Sequence, residues 1–350
     1  MEQVFKISAI LLNFGLSFMA SAYVYMMKTT FLFRAYCLIV VLILVAHQGI
    51  FGQSATPNLI DSGATPQVFA PGILSTPYSE WSLSLSSDGK TAYSSMGEIY
   101  WTIITAKKTE GGWQQPKVIS FSGRFRDTDP FITPDGSKLF FISSRPFLEG
   151  GPPDVPQKVT HIWYVEHVHG DEWGTPHHLD SLINLSDVGS YAPSVSAKGT
   201  LYYCSHRKEL PGMQSFSVNR IGNSYTEPKQ MLITGATEIQ DPFIAPDESY
   251  LIYLDGTDLC ISFRQKDGWS SEEKLRPEIN NGNNISSTYV ASDGKTLYYT
   301  SDRIQGFYKR DLTKPALRYD ELVKENSGIF NNKGNILMMP VHLPIPGKVN

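Results

Sequence analysis

An all-β β-propeller is the fold that this 350-residue sequence predicts. Three observations predict it. A hairpin pattern centred on Asp-Gly or a close variant recurs down the chain, with turns roughly 40–63 residues apart. A second landmark, an aromatic residue usually followed three positions later by proline, falls between successive hairpins. No segment has the length and 3.6-residue periodicity of a long helix. Landmarks that return in a fixed order at this period signal a repeat architecture, and four strands fit in each unit, which is a propeller blade.

The chain opens with a segment outside the fold. From Met27, "MKTTFLFRAYCLIVVLILVAHQGIFGQS" places Lys28 and Arg34 before an apolar run and then small residues, the layout of a secretory signal peptide cleaved around Gly52–Gln53. The upstream run "ISAILLNFGLSFMASAYVYMM" is nearly long enough to span a bilayer. It reads either as a membrane anchor or, preferably, as sequence preceding a true start at Met27. Residues 1–52 are therefore a signal region or anchor, 53–64 a short linker, 65–342 the propeller and 343–350 a tail.

The hairpins follow in order: "SLSLSSDGKTAYSS" (82–95), "PFITPDGSKLFFISSR" (130–145), "PSVSAKGTLYYCSHR" (193–207), "PFIAPDESYLIYLD" (242–255) and "TYVASDGKTLYYTSDR" (288–303). In each, an alternating strand meets a tight turn and an aromatic-rich strand returns from it. Alternation with β-branched and aromatic residues is the strand signal, and Asp-Gly supplies positive φ at the turn. Lys198-Gly199 and Asp247-Glu248 depart from Asp-Gly, so those turns are expected to differ in type. A degenerate sixth hairpin, "GIFNNKGNILMMP" (328–340), keeps a glycine at Gly334, which gives an expectation of six four-stranded blades.

Third strands are read at 98–104, 161–167 and 258–264, and outer strands after Trp113, Trp173, Tyr225 and Trp269. "LIN" (182–184) and "EIN" (278–280) precede the next hairpin by similar distances, and "RYDELVKE" (318–325) suits a short helix. "TPQVFAP" (65–71) aligns with an outer strand that has no hairpin before it, whereas 328–340 has no outer strand after it. Together they complete one sheet, so strands from both termini close the ring and remove two open sheet edges.

These residues resemble a known family. Pro-Asp-Gly-Lys-type hairpins ending in "SSR" or "SDR" are similar to the TolB-like, WD40-like propeller repeat of exported bacterial proteins, and "PQVFAPGILST" (66–76) and "ISFRQKDGWS" (261–270) to stretches of its Bacteroidetes-type members. The resemblance covers about residues 64–310. It implies the fold and an exported protein that is periplasmic, on the cell surface or secreted. It says little of function, because members range from binding modules to enzyme accessory domains.

Composition narrows the chemistry. A net charge of −4 gives no basic footprint, which argues against nucleic acid. Beyond Cys37 in the leader, Cys204 and Cys260 lie inside apolar strands and read as buried free thiols, a disulfide being the alternative in an exported protein. There is no G-x-S-x-G elbow, P-loop, dinucleotide fingerprint or H-E-x-x-H, and no cofactor or metal is expected. "SSDGKTAY" departs from the sialidase box because Asp and Gly are adjacent. His167 and His169, within "HVHGDEWGTPHH", share one strand face but fall on an outer hairpin, as surface residues.

The stronger candidates follow from hairpin geometry, which brings the start of an inner strand and the end of its partner to one propeller face. Strand starts carry Glu80, Asp127, Asp129 and Asp241, and second-strand ends carry Arg145, Arg207 and Arg303. Carboxylates and guanidinium forks at a channel mouth suit a polar ligand, or they tie each blade to its neighbour. The leading expectation is a non-catalytic binder of an envelope or extracellular protein or a glycan, without a catalytic residue. The alternatives are a carbohydrate-active lyase or hydrolase using carboxylates near the axis, and a structural subunit of an envelope complex. Carboxylates or histidines converging within a few ångströms in a deep polar pocket would favour the enzyme, and a flat, aromatic-rimmed face would favour protein binding.

Overall fold

A computed structural model describes residues 59–60, 63–98, 100–147, 155–222, 224–281, 283–303, 313 and 315–343. The leader read over 1–52, most of the linker and residues 344–350 of the tail lie outside the described residues. The chain divides into two units, Met1–Pro57 and Asn58–Asn350, and the described residues all fall in the second.

The described residues form five blades. Strand β1 (Gln67–Val68) comes first in the chain but belongs to the last blade. Blade one contains β2 (Glu80–Leu85), β3 (Thr91–Met96), β4 (Thr102–Thr109), β5 (Gly112–Trp113) and β6 (Lys117–Val118). Blade two repeats the plan with β7 (Asp127–Ile132), β8 (Lys138–Ser143), β9 (His161–His169), β10 (Glu172–Trp173) and β11 (His177–His178). Blade three has β12 (Ser190–Val195), β13 (Leu201–Ser205), β14 (Gln214–Val218) and β17 (Lys229–Gln230), with the small hairpin β15 (Arg220–Ile221) and β16 (Ser224–Tyr225) between the last two. Blade four has β18 (Gln240–Ile244), β19 (Tyr250–Asp255), β20 (Asp258–Gln265), β21 (Gly268–Trp269) and β22 (Glu273–Lys274). Blade five is built from β23 (Ile285–Val290), β24 (Thr296–Ser301), β25 (Asn335–Pro340) and β1, with the exposed helix α1 (Tyr319–Asn326) between β24 and β25.

The count of six is thus corrected to five. Residues 335–340 are not half of a sixth hairpin but the third strand of blade five, paired from Thr296↔Pro340 to Ser301↔Asn335. Gly334, read as a turn glycine, serves a different need: a Cβ there would collide with the Trp81 indole. Closure from both termini does occur, with Gln67 opposite Met338 and Val68 opposite Leu337. Phe69 extends the seam, stacking edge-on against Tyr298 at 5.0 Å and Trp113 at 5.5 Å.

The five inner hairpins share one turn. Gly89, Gly136, Gly199, Glu248 and Gly294 all have positive φ, and each donates its N–H to the carbonyl three residues back. Blade four was expected to differ, yet Glu248 accepts φ +64° in the glycine position. Its carboxylate reaches blade three, where Ser196 Oγ donates at 2.9 Å, which offsets the strain. The Asp of the turn has its own function: Asp88, Asp135, Asp247 and Asp293 each accept the N–H two residues on.

The other landmarks also have physical roles. Trp113 and Trp173 pack onto the preceding blade, against Phe69 and Tyr93. Asn184 and Asn280 act as one-residue strand substitutes. Each accepts an N–H from its blade's third strand at 2.8 Å and donates back to the same residue's carbonyl at 2.9 Å.

Candidate functional site: two carboxylates on the propeller axis

Each inner strand is broken by a β-bulge at the same place. The register shifts between Trp81 and Ser84, Thr128 and Phe131, Tyr191 and Ser194, Gln240 and Phe243, and Ser286 and Tyr289. The bulged residues are Ser82, Asp129, Ala192, Asp241 and Ser287, with φ of 57°, 54°, 47°, 46° and 51°. None is glycine, so each costs of order 1–3 kcal/mol of backbone strain. A bulge re-aims a side chain, and here five bulges bring five residues to line one cavity on the axis.

The five are laced together around that axis. Ser82 Oγ donates to Asp129 Oδ1 at 2.8 Å and approaches Ser287 Oγ at 3.1 Å. The Ala192 N–H donates to Asp129 Oδ2 at 3.1 Å, and the Ser287 N–H to Asp241 Oδ2 at 3.2 Å. Only between Ala192 and Asp241 is the circuit open. Two residues further along, Phe131, Phe243 and Tyr289 fill the channel, with ring centroids 6.4 and 5.5 Å apart. Phe131 and Phe243 line a cavity of about 40 Å³ together with the two aspartates. That is room for water-sized groups but not for a sugar ring.

The two aspartates differ in their donors. Asp129 accepts from Ser82 Oγ, Thr128 Oγ1 and the Ala192 N–H. Asp241 has the Ser287 N–H and a distant thiol, Cys204 Sγ at 4.0 Å. Burial, reinforced by the negative charge of Asp129, pushes the Asp241 carboxyl up to about 6, against the pull of the Ser287 N–H. Two carboxyl groups with different environments are the usual raw material of acid–base catalysis.

Of the seven residues expected at this face, the structure brings only Asp129 and Asp241 together on the axis. Asp127 and Arg145 form a buried ion pair at 2.9 Å inside blade two. Arg145 lies over Phe141 and Trp163, and Asp127 also accepts from Ser122 Oγ at 2.8 Å. Glu80 is fully buried against Thr76, whose N–H donates at 3.0 Å, and burial raises its carboxyl to about 6. Arg207 bonds to Tyr203 Oη at 3.0 Å over the Phe216 ring. Arg303 is exposed above Phe330. His167 and His169 lie on the exposed β9–β10 hairpin. Cys204 and Cys260 are buried and unpaired.

Sequence reasoning missed a second imidazole pair. His161 Nδ1 and His178 Nε2 are 2.8 Å apart beneath Phe147, which stacks on His178 at 5.1 Å. Burial and the neighbouring His161 push His178 down to about 4. The pair belongs to blade two, not the axis. A larger cavity, about 700 Å³, lies off the axis between blades two and three, where Lys138 is already neutralised by Glu166.

No family model matches the chain, and no curated protein matches it. Solved structures do. A thermostable family-43 glycoside hydrolase aligns with a TM-score of 0.50 at 9% identity, covering 80% of this chain and 96% of that one. A gluconolactonase from Xanthomonas campestris aligns at 0.44 and 9%, covering 83% and 93%. An oligogalacturonate lyase from Vibrio parahaemolyticus aligns at 0.38 and 11%, covering 78% and 68%. At these identities the first likeness shows a shared fold and the other two carry no argument of their own. The expectation of a non-catalytic binder is nevertheless corrected. The solved structures named here are of enzymes, the family-43 glycoside hydrolase among them, and Asp129 and Asp241 both line the axial cavity.

Proposed function

We propose that the protein is a carbohydrate-active hydrolase whose catalytic pair is Asp129 and Asp241. The observation that carries this reading is their convergence on the axis from blades two and four, with unequal donors and with Asp241 raised to about 6. Asp241 in its protonated form gives its proton to the glycosidic oxygen as that carbon–oxygen bond breaks. Asp129 takes a proton from a water as the water oxygen bonds to the anomeric carbon on the face opposite the leaving oxygen. The sugar sits above the cavity mouth, because the cavity itself admits only water-sized groups. A lyase reading has less support, since no lysine or arginine side chain among the described residues lines the cavity to hold a uronate carboxylate. The TolB-like repeat character and export read from the sequence would make the substrate an extracytoplasmic glycan.

The test is release of reducing ends or nitrophenol from a panel of polysaccharides and nitrophenyl glycosides. Replacing either aspartate by Asn should lower turnover by about 10²–10⁴-fold with the fold intact. Wild-type turnover should fall as pH rises through about 6, where Asp241 loses its proton. No turnover on any substrate, or full turnover in both variants, would overturn the assignment.

A further inference from the structure

On the face where the axial cavity opens, blade one presents a group of aromatic side chains that neither its core nor the proposed acid–base chemistry uses. Trp81 immediately precedes the ring residue Ser82. Trp101 enters β4 beside it, and the two indoles meet at 6.1 Å and 89°. Both are half-buried, while Tyr78 and Tyr100 at the same strand ends are 54% and 45% exposed. Their positions are fixed from behind. Trp81 packs against the bare Gly334 backbone, the Trp101 carbonyl accepts the Asp127 N–H at 3.0 Å, and Tyr100 Oη donates to the Arg124 carbonyl at 2.9 Å. Neither indole N–H has a hydrogen-bond partner among the described residues.

We infer that this shelf is a set of sugar-stacking subsites, and that the substrate is a neutral pyranose oligosaccharide running from the axial carboxylates outward across blade one. This rests on the hydrolase reading for where the chain ends, but not for how it is held. A pyranose offers an apolar C–H face to an indole and hydroxyl groups to the Trp101 N–H, which matches large, rigid, amphipathic rings. Two indoles at right angles present one flat face and one edge, which suits a chain whose successive rings twist. Charge selects a neutral chain over an acidic one. Asp129 and Asp241 line the mouth, and Lys333 is already bonded to Glu98 at 2.9 Å.

The test uses cellohexaose, xylohexaose and mannohexaose as neutral probes and trigalacturonate as the acidic one. Binding is followed by tryptophan fluorescence and calorimetry on the full chain carrying Asp241→Asn, so that turnover does not intervene. At least one neutral hexaose should bind, at least tenfold more tightly than trigalacturonate. Trp101→Ala should weaken it tenfold or more, with Trp101→Phe recovering part of the loss. Tyr100→Ala, at an exposed position, is the second variant should Trp101→Ala fail to fold, with a several-fold loss expected. No neutral binding, equal binding of trigalacturonate, or unchanged affinity in a folded shelf variant would overturn the inference. Hydrolysis of a short nitrophenyl glycoside, which does not reach the shelf, reports separately on the acid–base pair. Normal nitrophenyl turnover without shelf binding sinks the shelf alone, and shelf binding without turnover sinks the hydrolase alone.

Discussion

Asp127 and Asp129 are two residues apart in one strand, yet the fold gives them opposite tasks. Asp127 lies before the bulge, with no exposed surface, paired to Arg145 at 2.9 Å and bonded to Ser122. Asp129 lies on the bulge at φ 54°, partly exposed, with donors from blades one, two and three. The first holds a blade together. The second is delivered to an axial cavity opposite Asp241. In an unbroken strand both would point to the same side, so the bulge is what separates scaffolding from chemistry.

The largest expected effect tests that division directly. Asp127→Asn leaves Arg145 buried without its counter-charge, and breaking such a pair typically costs about 3–5 kcal/mol. Denaturant melts should show that loss, while turnover per folded molecule stays near wild type. Asp129→Asn should show the reverse, with turnover lost and stability nearly kept. If Asp127→Asn melts like the wild type, or if Asp129→Asn alone unfolds the protein, the two roles have been assigned the wrong way round.

Much of the fold was legible because it rests on local rules. Asp-Gly turns, period-two alternation and repeated Trp-x-x-Pro landmarks each reflect a backbone need that recurs in every blade. Blade number was not legible, because "NNKG" imitates a turn although Gly334 is needed for the approach of Trp81, a contact between blades. The site was half legible. Hairpin geometry placed acids at one face, but Glu80 and Asp127 occupy one position of the repeat and Asp129 and Asp241 another. Five non-glycine bulges leave no compositional mark that distinguishes them. The His161–His178 contact joins β9 to β11 across the sheet, a pairing that spacing alone does not reveal.

The second effect is smaller and depends on pH. Asp241 titrates near 6 in the folded protein, above its ordinary value of 3.8. Between those values the folded state keeps a proton that the unfolded chain has lost. The resulting stabilisation is complete below about pH 4 and is lost as pH rises through about 6. Asp241→Asn removes the ionisable group, so the variant should match wild type near pH 4 and exceed it by about 1–3 kcal/mol at pH 7. Denaturant melts at the two pH values check this. The comparison with Asp127 sharpens here, since replacing a paired carboxylate destabilises while replacing this under-donated one stabilises. A variant less stable than wild type at pH 7 would mean that Asp241 is a structural tie after all.

The smallest effect concerns the arginines, which the sequence placed at equivalent strand ends but the fold does not treat alike. Arg145 is buried and charge-paired, with its guanidinium over two aromatic rings. Arg303 is exposed, with its guanidinium 5.3 Å from the centroid of Phe330 and no ion pair among the described residues. An exposed cation–π contact is worth roughly 0.5–1 kcal/mol, so Arg303→Ala should cost no more than that and shift melting by only a few degrees. It lies outside the cavity lining, so turnover on a short nitrophenyl glycoside should be unchanged. Arg145→Ala should instead behave like Asp127→Asn, because it strands a buried carboxylate. Equal losses in the two arginine variants would show that Arg303 is a tie as strong as Arg145. The contrast between a buried lock and an exposed rim would then have to be redrawn blade by blade.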